Sequence, residues 1–401
     1  MIWFKHDTQK RYQYLAEIFQ HVRLPYVSKN IYSEFMDRCD FHEEPDVKPF
    51  VEEAESYKNY PSCQMEELSS RTRLRQHYDM EKVILVIGYK QRITCTDPCM
   101  WVWRFGLGQW YTLNSSPAKL GDGYATCRYG KSEVFFCGGQ GKRTFLKFDG
   151  LTDTILPCTQ MPAARMSHCM VCVGDAIYVL GGTGFQYDKE QACLVEDRFE
   201  SVEQWRSFES QWQQCGHIMS AVSGATACAS GSLILIYGGY IDKNDKEPSD
   251  TAQFFDTKTN TCGYLANHLP FRYGNLKSVS VKGVTYILTN SELFQSNCKD
   301  ESGYNYVQTL KDKFDCQNYR SLSSAMASDG NYLFFLKECF STRIAMYDET
   351  SWDLRRYDIE TREIENASEN IQFLKSSVSM YTLVVGKSVL QDKSVVQLNS
   401  K

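Results

Sequence analysis

The most informative stretch of this sequence is Gly174-Asp175-Ala176-Ile177-Tyr178-Val179-Leu180-Gly181-Gly182. Every position from Ala176 to Leu180 is apolar, and such a run is typical of a strand whose two faces are both covered. The diglycine that follows permits backbone angles that a Cβ would forbid, and it lets another strand or loop approach closely. A single stretch of this kind is weak evidence, but the pattern recurs along the chain.

Apolar runs of the same kind recur at intervals of about 40 to 60 residues, which is the range expected for the blades of a β-propeller. Three of these runs end in one or two glycines, and two occupy matching positions without glycine. The runs lie at 83–87, 134–137, 233–237, 285–288 and 332–336. Their regular recurrence predicts a repeat protein built from buried strands.

A second mark of the repeat is an aromatic residue, usually followed by Asp, with a bulky residue seven positions later. Each pair is expected to bracket the turn between the two outer strands of a blade. In the third copy, Arg198 stands where we expect the aromatic residue. The pairs are Trp103 with Trp110, Phe148 with Ile155, Phe255 with Cys262 and Tyr357 with Ile364.

This pattern resembles the kelch repeat, with copies near 81–115, 121–160, 165–214, 215–270, 272–318 and 319–368. The first copy lacks its leading strand, and a spare apolar segment lies near 371–385. In kelch propellers one blade is commonly closed by strands from both chain ends, which removes an exposed sheet edge. We therefore expect a mainly β fold, a six-bladed kelch β-propeller over 81–398, closed by the strand near 371–385.

The first 68 residues have the periodicity of short helices instead of strands. Leu15, Ile18 and Phe19 fall on one face of a helix. A further helix after Ser28 is predicted to bury Ile31. This part of the chain is therefore predicted to be a small α-helical module that precedes the propeller.

Local motifs in this helical region resemble the C-terminal part of a BACK domain. They are Trp3-Phe4-Lys5-His6-Asp7, Arg11, His21-Val22-Arg23-Leu24-Pro25 and Glu53-Ala54-Glu55-Ser56-Tyr57. Followed by kelch repeats, they give the order of the BTB-BACK-kelch (kelch-like) family. The resemblance implies a partial BACK domain at 1–68, a basic linker at 69–80 and a chain that is N-terminally truncated, because it has no BTB domain.

Bulk composition narrows the function classes. The net charge of −5 and the 42% share of hydrophobic residues predict a folded protein that does not bind nucleic acid. No apolar run approaches the ~18–20 residues that span a membrane, and the N-terminus has no signal peptide. The 16 cysteines are scattered and do not repeat from blade to blade as a disulfide framework would. We expect a cytoplasmic protein, with the nucleus as the alternative.

No enzymatic signature stands out in the sequence. None of the seven histidines pairs with another at metal-ligand spacing, and the GxSxG, HExxH and phosphate-cradling glycine motifs are missing. Cys169 and Cys172 spell CxxC, but on a strand they point to opposite faces and cannot easily grip one zinc ion. We therefore predict no catalytic residue, no metal and no cofactor.

The resemblance also suggests which residues bind a partner. In kelch-like proteins the arginine just before the innermost strand of a blade lies on the partner-binding face. This role is carried over to Arg165, Arg272 and Arg320, with Tyr273 beside the second of them. Three converging guanidiniums would suit an acidic or phosphorylated peptide. The alternative is that each arginine pairs with a carboxylate or carbonyl of a neighbouring blade.

The loop after each diglycine usually faces the same side of such a propeller. It adds Gln140, Thr183, Phe185 and Tyr240 to the predicted partner-binding residues. Aromatic anchors often carry much of the energy of an interface, and Phe185 and Tyr240 are expected to act in this way.

The resemblance implies a substrate-recognition adaptor of a cullin-RING E3 ubiquitin ligase. The propeller would bind the target protein for ubiquitination, and cullin would bind only through a BTB domain that this chain lacks. The adaptor would act by proximity, raising the local concentration of the target. One alternative is a kelch scaffold that binds actin or other cytoskeletal proteins without ubiquitination. Another is an isoform that binds the target but cannot deliver it.

Overall fold

The computed structural model describes most of the chain. The described residues are 8–38, 44–65, 69–73, 79–90, 98–188, 193–241, 247–274, 276–289, 292–297, 303–309, 325–340, 350–371, 374–391 and 395–396. They form a helical N-terminal segment followed by a six-bladed β-propeller. The predicted fold class is confirmed. The motif at 3–7 lies outside the described residues.

Each blade is an antiparallel sheet of four strands, numbered here in chain order. Blade I, from the innermost strand outward, consists of β26 (Leu374–Gly386), β1 (Met80–Lys90), β2 (Cys99–Arg104) and β3 (Gln109–Thr112). Blade II consists of β4 (Ala125–Tyr129), β5 (Glu133–Cys137), β6 (Phe145–Asp149) and β7 (Thr154–Pro157). Blade III consists of β8 (Cys169–Val173), β9 (Ala176–Leu180), β12 (Ser201–Arg206) and β13 (Trp212–His217).

The remaining three blades repeat this order. Blade IV consists of β14 (Thr226–Ser230), β15 (Leu233–Tyr237), β16 (Ala252–Asp256) and β17 (Thr261–Tyr264). Blade V consists of β18 (Lys277–Val281), β19 (Val284–Leu288), β20 (Glu292–Ser296) and β21 (Tyr304–Thr309). Blade VI consists of β22 (Ala325–Ser328), β23 (Tyr332–Phe340), β24 (Thr350–Asp358) and β25 (Ile364–Ile371).

The helices are short and lie at the two ends of the chain. They are α1 (Thr8–Arg11), α2 (Leu15–His21), α3 (Lys29–Arg38), α4 (Lys48–Asn59) and α5 (Lys387–Gln391), with 3-10 turns at Tyr12–Tyr14, Leu24–Tyr26 and Pro61–Cys63. Leu15 and Phe19 are buried, but Ile18 of the same predicted face is 37% exposed. Ile31 is 61% exposed, and Tyr32 is buried in its place. No helix among the described residues is long and apolar enough to cross a membrane.

The two ends of the chain meet in blade I. The C-terminal strand β26 pairs antiparallel with β1, in a register that runs from Met80 opposite Gly386 to Ile87 opposite Ser379. This strand lies where the sequence places a closing segment. Its side chains also reach the next blade, because the hydroxyl of Tyr381 donates a hydrogen bond to the Thr126 carbonyl at 2.8 Å. The C-terminal strand therefore supplies the innermost strand of blade I and covers the edge that β1 would otherwise expose.

The blades pack on one another through alternating side chains of their strands. In β1, Leu85 packs with Phe136 of blade II, whereas Ile84 packs with Phe334 of blade VI. All four side chains are fully buried. Because successive side chains of a strand point to opposite faces, a strand buried on both sides must be apolar throughout, as the sequence indicates.

The predicted aromatic pairs lie directly opposite one another in the two outer strands of their blades. The facing pairs are Trp103 with Trp110, Phe148 with Ile155, Phe255 with Cys262 and Tyr357 with Ile364. In blade III the corresponding pair is Trp205 with Trp212, so assigning this position to Arg198 was wrong. The hairpin of β10 (Thr183–Asp188) and β11 (Cys193–Arg198) is inserted after β9 and displaces the repeat along the sequence.

We call the upper face the side that carries the loops between consecutive blades and the loops joining the second and third strands of each blade. The lower face carries the other turns. The helical segment contacts the lower face. Ser62 and Gly174 exchange two hydrogen bonds there, with N to O distances of 3.0 and 3.2 Å. The Lys131 ammonium donates to the hydroxyl of Tyr26 and the carbonyl of Thr72, both at 2.8 Å.

Candidate partner-binding face

The chain topology places most of the predicted binding residues on the upper face. Arg165 lies between blades II and III, whereas Arg272 and Tyr273 lie between blades IV and V. The others follow the second strand of a blade, and they are Gln140 in blade II, Thr183 and Phe185 in blade III and Tyr240 in blade IV. Arg320 lies outside the described residues.

The side chain of Arg165 is buried against blade III. Its side chain is 2% exposed, and it donates to the backbone carbonyl of Ser201 at 3.0 Å and to its hydroxyl at 2.7 Å. It also forms a salt bridge of 3.1 Å with the buried strand residue Glu203. Burial lowers the pKa of Arg165, and the charge of Glu203 opposes this shift. The guanidinium is therefore held by the blade and does not face a partner, which supports the pairing alternative for this arginine.

Arg272, in contrast, is on the surface. Its side chain is 60% exposed, and its Nε and Nη2 atoms both donate to one carboxylate oxygen of Asp250 at 3.2 Å. Desolvation raises the pKa of Asp250, but the hydrogen bond and charge of Arg272 and the nearby His268 lower it overall. Asp250 therefore stays ionised and offsets part of the positive charge of Arg272. An incoming carboxylate would have to compete with this contact.

Tyr240 joins three loops of the upper face. Its backbone pairs with Ser223 through hydrogen bonds of 2.8 and 3.1 Å, and its carbonyl accepts a hydrogen bond from Arg198. Its ring passes so close to Gly274 that a Cβ at that position would overlap the hydroxyl. Tyr240 is therefore a half-buried support that fixes the loop carrying Tyr273 against the loop after β15.

Four large apolar side chains are exposed on these same loops of blades III and IV. Phe185, Met219, Ile241 and Tyr273 are between 38% and 47% exposed. Met219 and Ile241 were not predicted. Met219 lies four residues before Ser223, whose backbone pairs with Tyr240, and Ile241 directly follows Tyr240. We call these four residues and Arg272 the blade III–IV patch.

The other two predicted residues do not join this patch. Thr183 is buried, and its backbone is paired with Met166 through hydrogen bonds of 2.8 and 2.9 Å. Gln140 is exposed, but it belongs to blade II, and its backbone N–H donates a hydrogen bond to the Asp122 carbonyl at 2.8 Å. Of the predicted residues, Arg272 and Tyr273 thus lie on the loop that Tyr240 approaches at Gly274. Phe185 lies on the hairpin whose Arg198 donates to the Tyr240 carbonyl.

Comparison with known proteins agrees with the resemblance of both halves of the chain. Residues 1–37 match the BACK family, described as BTB And C-terminal Kelch. Kelch-like protein 35 of Mus musculus is 25% identical over 294 residues, which is 72% of this chain and 48% of that protein. Kelch-like protein 6 of Homo sapiens is 25% identical over 252 residues, 60% of this chain and 38% of that protein. The chain thus spans half or less of the length of these relatives.

One solved structure shows the same fold. The structure of YjhT superposes with a TM-score of 0.52, at 13% sequence identity, over 71% of this chain and 95% of that one. At this level of identity the similarity shows the fold alone.

Proposed function

We propose that this chain binds a target protein as a kelch adaptor. The proposal rests on the resemblance to the BTB-BACK-kelch proteins, which is confirmed by the BACK match, the kelch-like relatives and the six-bladed propeller. The finer proposal is that it is the substrate-recognition part of a cullin-RING ubiquitin ligase. In that role the chain does no chemistry. It holds the target near the transferring machinery, and the gain in rate comes from effective concentration.

The observation that carries the proposal is the blade III–IV patch. Four large apolar side chains are exposed on upper-face loops of neighbouring blades, and exposed apolar surface of this kind often marks a protein–protein interaction site. Exposed aromatic residues beside an arginine are the residue types that dominate binding energy at interfaces. The patch also lies on the upper face, opposite the lower-face turns that contact the helical segment. The propeller therefore presents it to an incoming protein on a rigid support.

The patch also indicates the chemistry of the target. Of the three arginines predicted to converge, one is buried, and only Arg272 is exposed among those that the structure describes. Since Asp250 already offsets part of the positive charge of Arg272, charge is expected to supply a minor part of the affinity. We propose a target segment with an aromatic or aliphatic anchor next to a single carboxylate, in place of the strongly acidic peptide that three guanidiniums would suit.

Affinity purification of the chain from cell extract, with mass spectrometry, tests this proposal. Tyr273→Ala and Phe185→Ala are each expected to weaken capture of the target about 10-fold or more, because truncating an anchor of an interface costs on the order of 2 kcal/mol. The matched control is Phe208→Ala. Phe208 is 72% exposed in the turn between β12 and β13, on the lower face. Equal loss of the target with the control variant would contradict the proposed face.

The role in ubiquitination is tested separately. If the chain serves a ubiquitin ligase, depleting its gene product from cells is expected to lengthen the half-life of the captured target, and re-expression of the Tyr273→Ala variant is expected not to restore turnover. An unchanged half-life would contradict the ligase role. Actin among the captured proteins would then favour the scaffold alternative, while the target-binding face would stand.

A further inference from the structure

Three soft donor atoms meet between blades II and III. Cys137 is the last residue of β5, His168 directly precedes β8, and Met170 is the second residue of β8. The Cys137 Sγ atom lies 3.0 Å from His168 Nε2 and 3.3 Å from Met170 Sδ. All three residues are buried. The thiol, the imidazole nitrogen and the thioether thus form one contiguous group just below the upper face.

The surroundings of this group are rich in sulfur and poor in hard ligands. Cys127, Cys172 and Met161 belong to the same core cluster as Cys137 and Met170. No group of three or more histidine, cysteine, aspartate or glutamate residues able to hold a metal ion occurs among the described residues. The group formed by Cys137, His168 and Met170 differs from such clusters because its third donor is the thioether of Met170.

We propose that Cys137, His168 and Met170 form a binding site for a soft monovalent cation, Cu(I). Thiolate, imidazole and thioether are the ligands that copper favours, whereas zinc takes nitrogen, thiolate and carboxylate ligands. The site holds a single anionic ligand, so Cu(I) bound to the thiolate is neutral overall. A divalent ion would leave a net charge in a buried place, which is costly. On binding, the Cys137 thiol releases its proton to solvent as the copper–sulfur bond forms, and the oxidation state does not change.

The group needs only a small expansion to accept the ion. Bonds from a metal to sulfur and nitrogen of about 2.0–2.3 Å separate trigonal donors by roughly 3.7–4 Å, which is about 0.7 Å more than the contacts of 3.0 and 3.3 Å observed here. The other ring nitrogen of His168, Nδ1, is buried and has no hydrogen-bond partner in the described structure. The ring can therefore pivot without breaking a second hydrogen bond. Met170 can adjust as well, because a methionine side chain is flexible.

Burial favours the uncharged forms of both titratable side chains of the group, whose placement the two short contacts of Cys137 establish. Burial and, to a lesser extent, the charge of Arg165 lower the pKa of His168 to about 3. The ring is therefore neutral near pH 7, with a lone pair available at one nitrogen. The Cys137 thiol, whose pKa burial raises, stays protonated until an ion arrives.

Cu(I) buffered by bicinchoninate under anaerobic conditions tests the site. Because the chain has 16 cysteines, exposed thiols are first blocked on the folded protein with iodoacetamide, which does not reach a buried thiol. We expect the blocked wild-type chain to bind one equivalent of Cu(I). Met170→Leu, which preserves shape and apolar packing, is expected to weaken binding at least 10-fold. Cys137→Ala is expected to abolish it.

Matched controls separate the site from the rest of the thiols. Met326→Leu removes a buried thioether in the core between blades V and VI. Cys172→Ala removes a thiol of the same core cluster as Cys137, whose Sγ lies 3.9 Å from the Gly174 carbonyl in the turn after β8. Both are expected to bind like the wild type. X-ray absorption at the copper edge is expected to show one nitrogen and two sulfur ligands. Lack of binding by the blocked wild type, or equal binding by Met170→Leu and Met326→Leu, would overturn the proposal.

Discussion

Replacing Arg165 with alanine is expected to lower the free energy of unfolding by about 3–5 kcal/mol. The substitution leaves the carboxylate of Glu203 buried without its salt-bridge partner at 3.1 Å. It also removes the donors to the carbonyls of Gly181 and Ser201, and an unpaired buried acceptor adds to the cost. The measurement is guanidinium-induced unfolding followed by tryptophan fluorescence.

Two comparisons make this prediction specific. Arg272→Ala is the matched control, since an exposed ion pair contributes about 1 kcal/mol or less. The double substitution of Arg165→Met with Glu203→Leu is expected to cost less than Arg165→Ala alone, because no buried charge is then left unpaired. A folded Arg165→Ala variant as stable as the wild type, with impaired target capture, would show instead that this guanidinium faces the partner.

Replacing Gly139 with alanine is expected to destabilise the propeller by at least about 3 kcal/mol, as the sum of backbone strain and overpacking. Gly139 has a φ of +94°, and a Cβ there would overlap the carbonyl group of Gly121 and lie 2.5 Å from its Cα. Neither backbone segment can move aside easily. Gly139 N donates to the Arg165 carbonyl at 2.8 Å, and Gly121 N donates to the Gly138 carbonyl at 3.2 Å.

Gly141, two residues further along the same loop, separates the two contributions. Its φ is +64°, but nothing lies within 4 Å of a Cβ built on it. Gly141→Ala is therefore expected to cost only the backbone term, on the order of 1 kcal/mol. Thermal unfolding of both variants beside the wild type is the check. Equal shifts in the unfolding midpoint for the two variants would show that the close approach of Gly121 does not matter.

The sequence was most informative where one local pattern meets one structural requirement. A strand buried on both faces must be apolar at every position, and Ile84 and Leu85 show why, since they pack in different interblade cores. The facing pair of Trp103 with Trp110 could be predicted from the sequence, because a fixed turn length sets a fixed spacing between the two residues. The closing strand was visible as an apolar run without a repeat of its own.

The sequence was less informative where a tertiary contact decides the outcome. An inserted hairpin moved the aromatic position of blade III from the expected Arg198 to Trp205. The partner-binding residues were predicted less well than the fold. Arg165 and Arg272 occupy the same place in the repeat, but one is buried because its own blade offers Glu203 and the other is exposed beside Asp250. Nor does a repeat pattern mark Met219 and Ile241, which are exposed because they lie in loops that differ from blade to blade.

The central claim is that the blade III–IV patch is the surface that binds the target protein. Photo-crosslinking in cells tests it most directly, with a photoreactive amino acid placed at position 273 on the upper face or at position 208 on the lower face. Both wild-type side chains are exposed, so neither replacement disturbs the core. The account predicts a crosslinked partner at position 273 and none at position 208. A partner trapped at position 208 and not at position 273 would contradict it.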